Sequence, residues 1–344
     1  MSQHYSSSRG ASLVEVVTSV ILSGVVVMAG AMLFRPAMDL SVLLTQQAGT
    51  QQAARLAVNV LTSELIQAGN GLPGGGIQLP GGSGSVDPLF ACDAGDCYVT
   101  GNTYPNDRLY AVTPGDGKGP TVNTVSTDSV TIAYRDPTSN LDQLPLTNIS
   151  ANGDQITFDP ATSPAWDDAD TGVKVGDILV LCNVNGCAAG EVNKIHGAHL
   201  HLNGSEATDP DYLEFNQPAA AYGNIPSIIP AAATRAFRLL VVTFYIDNSN
   251  TDVPRLMRQV NAHAPSVASL FIENLQLSYD IFDENSATVT NNLPDAGGNP
   301  NQIRKVNISI GARSPTDGVG GGGYQHLILT TSISTRSLRF RDTY

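Results

Sequence analysis

Residues 9–34 read RGASLVEVVTSVILSGVVVMAGAMLF, and this stretch decides the architecture of the chain. From position 11 to position 34 run 24 consecutive residues with a single charge, Glu15. As a helix, at about 1.5 Å per residue, they extend roughly 36 Å, more than the ~30 Å of a bilayer's hydrocarbon core. The ten residues before them, MSQHYSSSRG, are polar and hold one base, Arg9. An ordinary secretory signal has a shorter apolar stretch with a small-residue cleavage point at its far end. Here the apolar stretch is longer, and the candidate cleavage point, Arg9-Gly10, comes before it. Hydropathy alone is satisfied by a simple membrane anchor. Glu15 argues for more, because a carboxylate inside a membrane helix costs about 2.5–3.5 kcal/mol on insertion scales and calls for a partner.

Basic-Gly at Arg9-Gly10, then Ala11-Ser12 and Leu13-Val14-Glu15 heading an uninterrupted apolar helix, resembles the class III signal of type IV prepilins and the related pseudopilins. The resemblance implies cleavage by a prepilin peptidase between Gly10 and Ala11, N-methylation of Ala11, and an assembly role for Glu15 at the fifth mature position. In that family the carboxylate pairs with the terminal amine of the subunit ahead in the filament. The physics is independent of the name: two charges in a low-dielectric bundle are tolerable only when paired, so a register error would leave both exposed to the cost of burial. Two departures are visible. Ala11 stands where the family usually has Phe or Met, and Met32 stands where many major pilins carry a mid-helix proline, Pro36 coming later.

Working outward, residues 35–70 keep a helical period, with Ala53, Ala57, Val60, Leu61, Leu65 and Ala68 near one stripe, so an amphipathic stalk should continue the membrane helix and pack on a head. Gly69-Asn70-Gly71 is the expected stop. Residues 71–86, beginning GLPGGGIQLPGGSG, read as a glycine-rich linker. Beyond it, residues 87–344 alternate apolar and polar over short stretches at 129–134, 155–158, 177–182, 236–246, 270–282, 305–312 and 326–337, separated by Gly, Pro, Asn and Asp. That is the signature of a mainly antiparallel β head, with residues 301–313 and 325–338 as a hairpin. The fold class is therefore α+β: leader 1–10, membrane and assembly helix 11–34, stalk 35–70, linker 71–86, and a β-rich head.

Within the head, FRLLVVTFYIDN, PRLMRQV, FIENLQLSYDIFDEN, IRKVNISIGARSP and HLILTTSISTRSLRFR follow an order similar to PilW-like minor pilins, as does AARLAVNVLTSELIQAGNG in the stalk. The resemblance implies a pilin-like fold and a minor pilin that helps start or cap pilus assembly. Its partners would be the prepilin peptidase, other pilins, the membrane and the inner-membrane assembly platform, with the head in the periplasm and then at the cell surface. A J-type pseudopilin of a type II secretion system and a plain anchored periplasmic binding module are the alternatives.

Four cysteines stand as Cys92-DAGD-Cys97 and Cys182-NVNG-Cys187. Three pairings are possible, and turn residues inside each loop favour two local disulfides over a cross-pairing or a zinc site. His196, His199 and His201 have spacing that metals use, but a strand surface is the plainer reading and no metal or other cofactor is expected. Asp167, Asp168 and Asp170 before Gly172 lack the calcium-loop spacing, and Gly318, Gly320 and Gly323 match a dinucleotide fingerprint that opens no helix. Arg336, Arg339 and Arg341 form a basic terminus, read as a solvated edge with contact to an acidic subunit or to lipid as the alternative. No hydrolase elbow, Walker motif or zinc-protease motif occurs, so an enzyme is not expected. The 344 residues carry 18 Lys and Arg against 31 Asp and Glu, a net charge of -13 that gives no general pull on nucleic acid.

Overall fold

The computed structural model describes residues 12–73, 75–78, 89–93, 96–99, 108–139, 141–144, 146–159, 165–168, 172–202, 225–229, 234–283, 286–294, 300–318 and 323–335. A helix, α1, runs from Leu13 to Gln67, 55 residues, or roughly 80 Å at 1.5 Å each. Pro36 lies inside it without ending it. Up to residue 45 its described side chains are exposed or half-buried, as expected of a surface apolar all round. From Gln46 onward one stripe sinks into the head: Gln46, Thr50, Ala54, Ala57, Leu61, Glu64, Leu65 and Ala68 are buried. These steps of three and four are the helical period, and Ala53 and Val60 flank the stripe half-buried.

The helix ends where the glycines permit. Gly69 and Gly71 take φ of 77° and 71°, a left-handed backbone that residues with a Cβ rarely adopt. At Gly71 a Cβ would also lie 2.9 Å from that of Arg135. The exit is stitched to the strand Ser129–Arg135, with the Gly69 N–H donating to the Ala133 carbonyl (2.9 Å) and the Arg135 N–H to that of Asn70 (2.9 Å). Ile77, within the 71–86 segment, is buried and pairs with Leu109.

Every strand pairing described in the head is antiparallel. A seven-stranded sheet runs Gly186–Glu191, Ile178–Asn183, Arg235–Asp247, Arg255–Val260, Ser266–Leu270, with Ser129–Arg135 and then Val112–Gly115 branching from the long third strand. That strand, 13 residues, is long enough for Ile178–Asn183 and Arg255–Val260 to follow one another along one edge, while Ser129–Arg135 pairs along the other. A four-stranded sheet follows, in the order Thr288–Leu293, Ile272–Asp283, Ile303–Arg313, His326–Ser334. Its last two strands form the expected hairpin, with Arg313 opposite His326 and Lys305 opposite Ser334. The expected single strand over 270–282 is two strands, broken at Phe271, whose φ of 58° turns the chain from one sheet into the other.

A third sheet, also four-stranded, is ordered Lys194–His196, His199–His201, Gln155–Phe158, Leu146–Ile149. Two cores result. Leu61 and Leu65 of α1 join Val130, Ile132, Phe244 and the inward residues Leu275, Tyr279, Val306 and Ile310 of the closing sheet. The second core, holding the single Trp166, lies between the third sheet and the Leu179 and Leu181 side of Ile178–Asn183. Ile178 and Val180 face a further cluster on the other side, so that strand is covered twice and reads as the continuous apolar run ILVL rather than an alternation.

Candidate functional site: the N-terminal helix and its attachment

Two polar features mark α1, one at each end. Near the start, Ser12 precedes the helix in extended backbone, and its carbonyl accepts the Glu15 N–H (2.9 Å). Thr18 and Ser19 turn their hydroxyls back onto the Glu15 carbonyl at 3.0 and 2.7 Å, so these polar groups are satisfied within the helix. The Glu15 side chain is exposed on a surface otherwise made of residues such as Leu13, Val16 and Val20, 81%, 53% and 66% exposed. No Lys, Arg or His occurs from position 11 to position 34. A cation for Glu15 in an apolar surrounding must therefore come from outside residues 11–34. Gly10 and Ala11 lie outside the described residues.

At the other end, Glu64 sits inside the buried stripe. Arg258, on the strand Arg255–Val260, donates to Glu64 Oε1 from Nε (2.9 Å) and Nη2 (2.6 Å). The Tyr134 hydroxyl donates to Oε2 at 2.5 Å. Burial, and then the bond to Glu64 and its charge, push the Tyr134 pKa well above its ordinary value, against a smaller lowering by Arg258. Two further bonds fasten the same helix face: the Ser269 hydroxyl to the Ala53 carbonyl (2.9 Å) and Gln46 Nε2 to Thr316 Oγ1 (2.7 Å). From residue 46 to residue 64 these fastenings span about 27 Å of helix. A separate network joins the strand Arg235–Asp247 to three loops: Arg238 donates to Asp136 Oδ2 from Nε (2.7 Å) and reaches Asp177 Oδ2 from Nη1 (3.3 Å), while His263 Nε2 lies 2.8 Å from Asp177 Oδ1.

Glu64 was legible as the one acid between Leu61 and Leu65. Its partners were not, because they stand 70 and 194 positions away. The Arg-Gln ending of PRLMRQV supplies Arg258 itself.

Of the other candidate residues, Cys182 and Cys187 are opposite each other in a hairpin and form a disulfide. Backbone register sets Cys92 opposite Cys97, and their side chains lie outside what is described. His196 faces His199 across a second hairpin. The Asp168 carbonyl accepts the Gly172 N–H (2.8 Å), and Asp170 lies outside the described residues. The Gly318 N–H donates to the Gly323 carbonyl, and Gly320 and the three arginines at 336, 339 and 341 also fall outside the described residues. Among the described residues, no three His, Cys, Asp or Glu side chains converge as a metal cage.

The class is thus a β-headed protein on one N-terminal helix that is long and apolar enough to cross a membrane. No family model, curated protein or solved structure matches the chain.

Proposed function

We propose that the chain is a type IV prepilin whose product is a minor pilin acting in pilus assembly, cut between Gly10 and Ala11 and joined to its neighbours through α1. The observation that carries the reading is the division of one helix into two surfaces. One half is exposed and apolar with Glu15 as its only acid before residue 35, and the other is built into the head's core. Apolar exposure also continues past the 24-residue span, at Met38, Leu40, Val42 and Leu44, 67%, 57%, 46% and 55% exposed. A lipid-only anchor needs no such extension, whereas a helix packed among other helices does. Cleavage would create an ammonium at Ala11, the opposite charge that Glu15 lacks along its own helix. The disulfide fits a head outside the reducing cytoplasm.

The test is mass spectrometry of the mature N-terminus from a host with prepilin peptidase. N-methyl-Ala11 is the expected product, and Gly10 replaced by a bulky residue should leave an uncut, membrane-retained precursor. A mature chain that keeps Met1 would overturn the processing claim. Glu15→Ala should be cut normally yet fail to enter filaments. Deletion that abolishes protein secretion while leaving surface fibres intact would assign the chain to the pseudopilin class instead.

A further inference from the structure

We propose that His196 and His199 form a surface site for one divalent transition-metal ion of the zinc or copper type. The strands Lys194–His196 and His199–His201 are joined by the two-residue turn Gly197-Ala198, with Gly197 at φ 61°. A glycine at the first turn position is what a tight hairpin of this kind requires. The turn fixes the register so that His196 lies directly opposite His199. Side chains so paired have Cβ atoms about 4.5–5.5 Å apart, which lets two imidazoles reach one ion at about 2.0–2.1 Å each.

The pleat aims both rings outward. Leu200, between His199 and His201, is fully buried in the second core, while His196 and His199 are exposed. The next strand orients one ring: Thr157 is opposite His199, and its Oγ1 lies 2.9 Å from His199 Nδ1. In the tautomer in which Nδ1–H donates to that hydroxyl, Nε2 offers its lone pair to solvent, as in metal-binding histidines whose second nitrogen is held by the protein. His201 lies two residues on, on the same face, so three of the six histidines in the chain share it. Lys194 stands opposite His201, and its positive charge favours placing the ion on the His196–His199 row.

Two imidazoles with no third ligand converging among the described residues make an open site, its remaining positions filled by water. Imidazole nitrogen selects zinc, copper or nickel over calcium and magnesium, and the chain's net charge of -13 draws cations toward it. The sequence suggested only that His199 and His201 share a strand face. The cross-strand partner comes from the hairpin register.

The experiment uses the full chain in detergent micelles, with no polyhistidine tag and after chelator treatment, titrated with zinc chloride by calorimetry. One zinc per chain is expected, with calcium giving no heat at the same concentration. Replacing both His196 and His199 by Ala should abolish the event, Thr157→Val should weaken it by about tenfold, and His326→Ala should leave it unchanged. One equivalent of copper should show nitrogen couplings from two imidazoles in the wild-type electron paramagnetic resonance spectrum, a readout independent of how the variants fold. Zinc binding that survives the double substitution, or a copper spectrum without imidazole nitrogen, overturns the site.

Discussion

A Glu64→Ala substitution removes the carboxylate that Arg258 and Tyr134 share between helix and sheet. Breaking a buried ion pair by deleting one member costs about 3–5 kcal/mol, because the remaining charge is stranded. Arg258 keeps 28% of its side chain exposed and recovers part of its hydration, which moves its share to the low end or below. Tyr134 is 5% exposed, and its hydroxyl loses its acceptor, for about 1–3 kcal/mol. A net loss of about 3 kcal/mol follows. Hydrogen exchange on the full chain in micelles localises it. Amides between residues 54 and 67 should exchange about a hundredfold faster, since 1.4 kcal/mol is a factor of ten. Trp166, stacked near Phe158 at 6.3 Å in the second core, should keep its fluorescence in water. Replacing Glu64, Arg258 and Tyr134 together by Leu, Met and Phe should restore most of the stability, since apolar groups of similar size often match a buried ion pair. A Glu64→Ala protein whose helix amides exchange at the wild-type rate would refute the clamp.

Three further outcomes are expected. Leu65→Ala opens a cavity in the core shared by helix and sheets and should cost about 2–5 kcal/mol by urea unfolding. Replacing Cys182 and Cys187 by alanine releases a loop of only a few residues, so the loss should stay near 2 kcal/mol. Stability should also fall in acid. Burial works against the charged forms of Asp136, Asp247 and Asp280, but bonds from Thr138 and Arg238, from Ser249 and Arg255, and from Asn292, Lys305 and Asn307 outweigh it and lower all three pKa values. A depressed folded pKa gives stability that is present above the unfolded value, about 3.9, and is lost as pH falls through the folded one, so the decline should begin near pH 4. Asp128 runs the other way, since burial raises its pKa despite amide bonds from Gly117 and Leu277, and mild acid should favour it. Asp136→Asn should flatten the acid decline in a pH series of urea midpoints, and a slope equal to wild type would remove Asp136 from the account.

What the sequence revealed follows from how far each signal reaches along the chain. The apolar run at 11–34 and the stripe through Ala57, Leu61 and Leu65 are local, and both reappear as exposed and buried helix surface. The final hairpin was legible because alternation and a glycine-rich turn are adjacent in sequence. The break at Phe271 was not, since nothing local marks a phenylalanine that must take a left-handed backbone to pass between sheets. The doubly covered strand Ile178–Asn183 looked like any short apolar run, because only the packing of two other layers tells its two faces apart.

The same reasoning explains why the polar residues of α1 were harder to place than the apolar ones. An apolar residue needs only a surface, and periodicity supplies its direction. A carboxylate needs a particular partner, and for Glu64 that partner comes from a strand nearly two hundred residues on. For Glu15 the helix itself supplies none. The two acids therefore pose one problem in two settings. Glu64 is answered within the fold, which makes the lower helix a fixed part of the head. Glu15 has no basic residue along the apolar helix around it, and in the proposed assembly the amine of a neighbouring subunit would answer it.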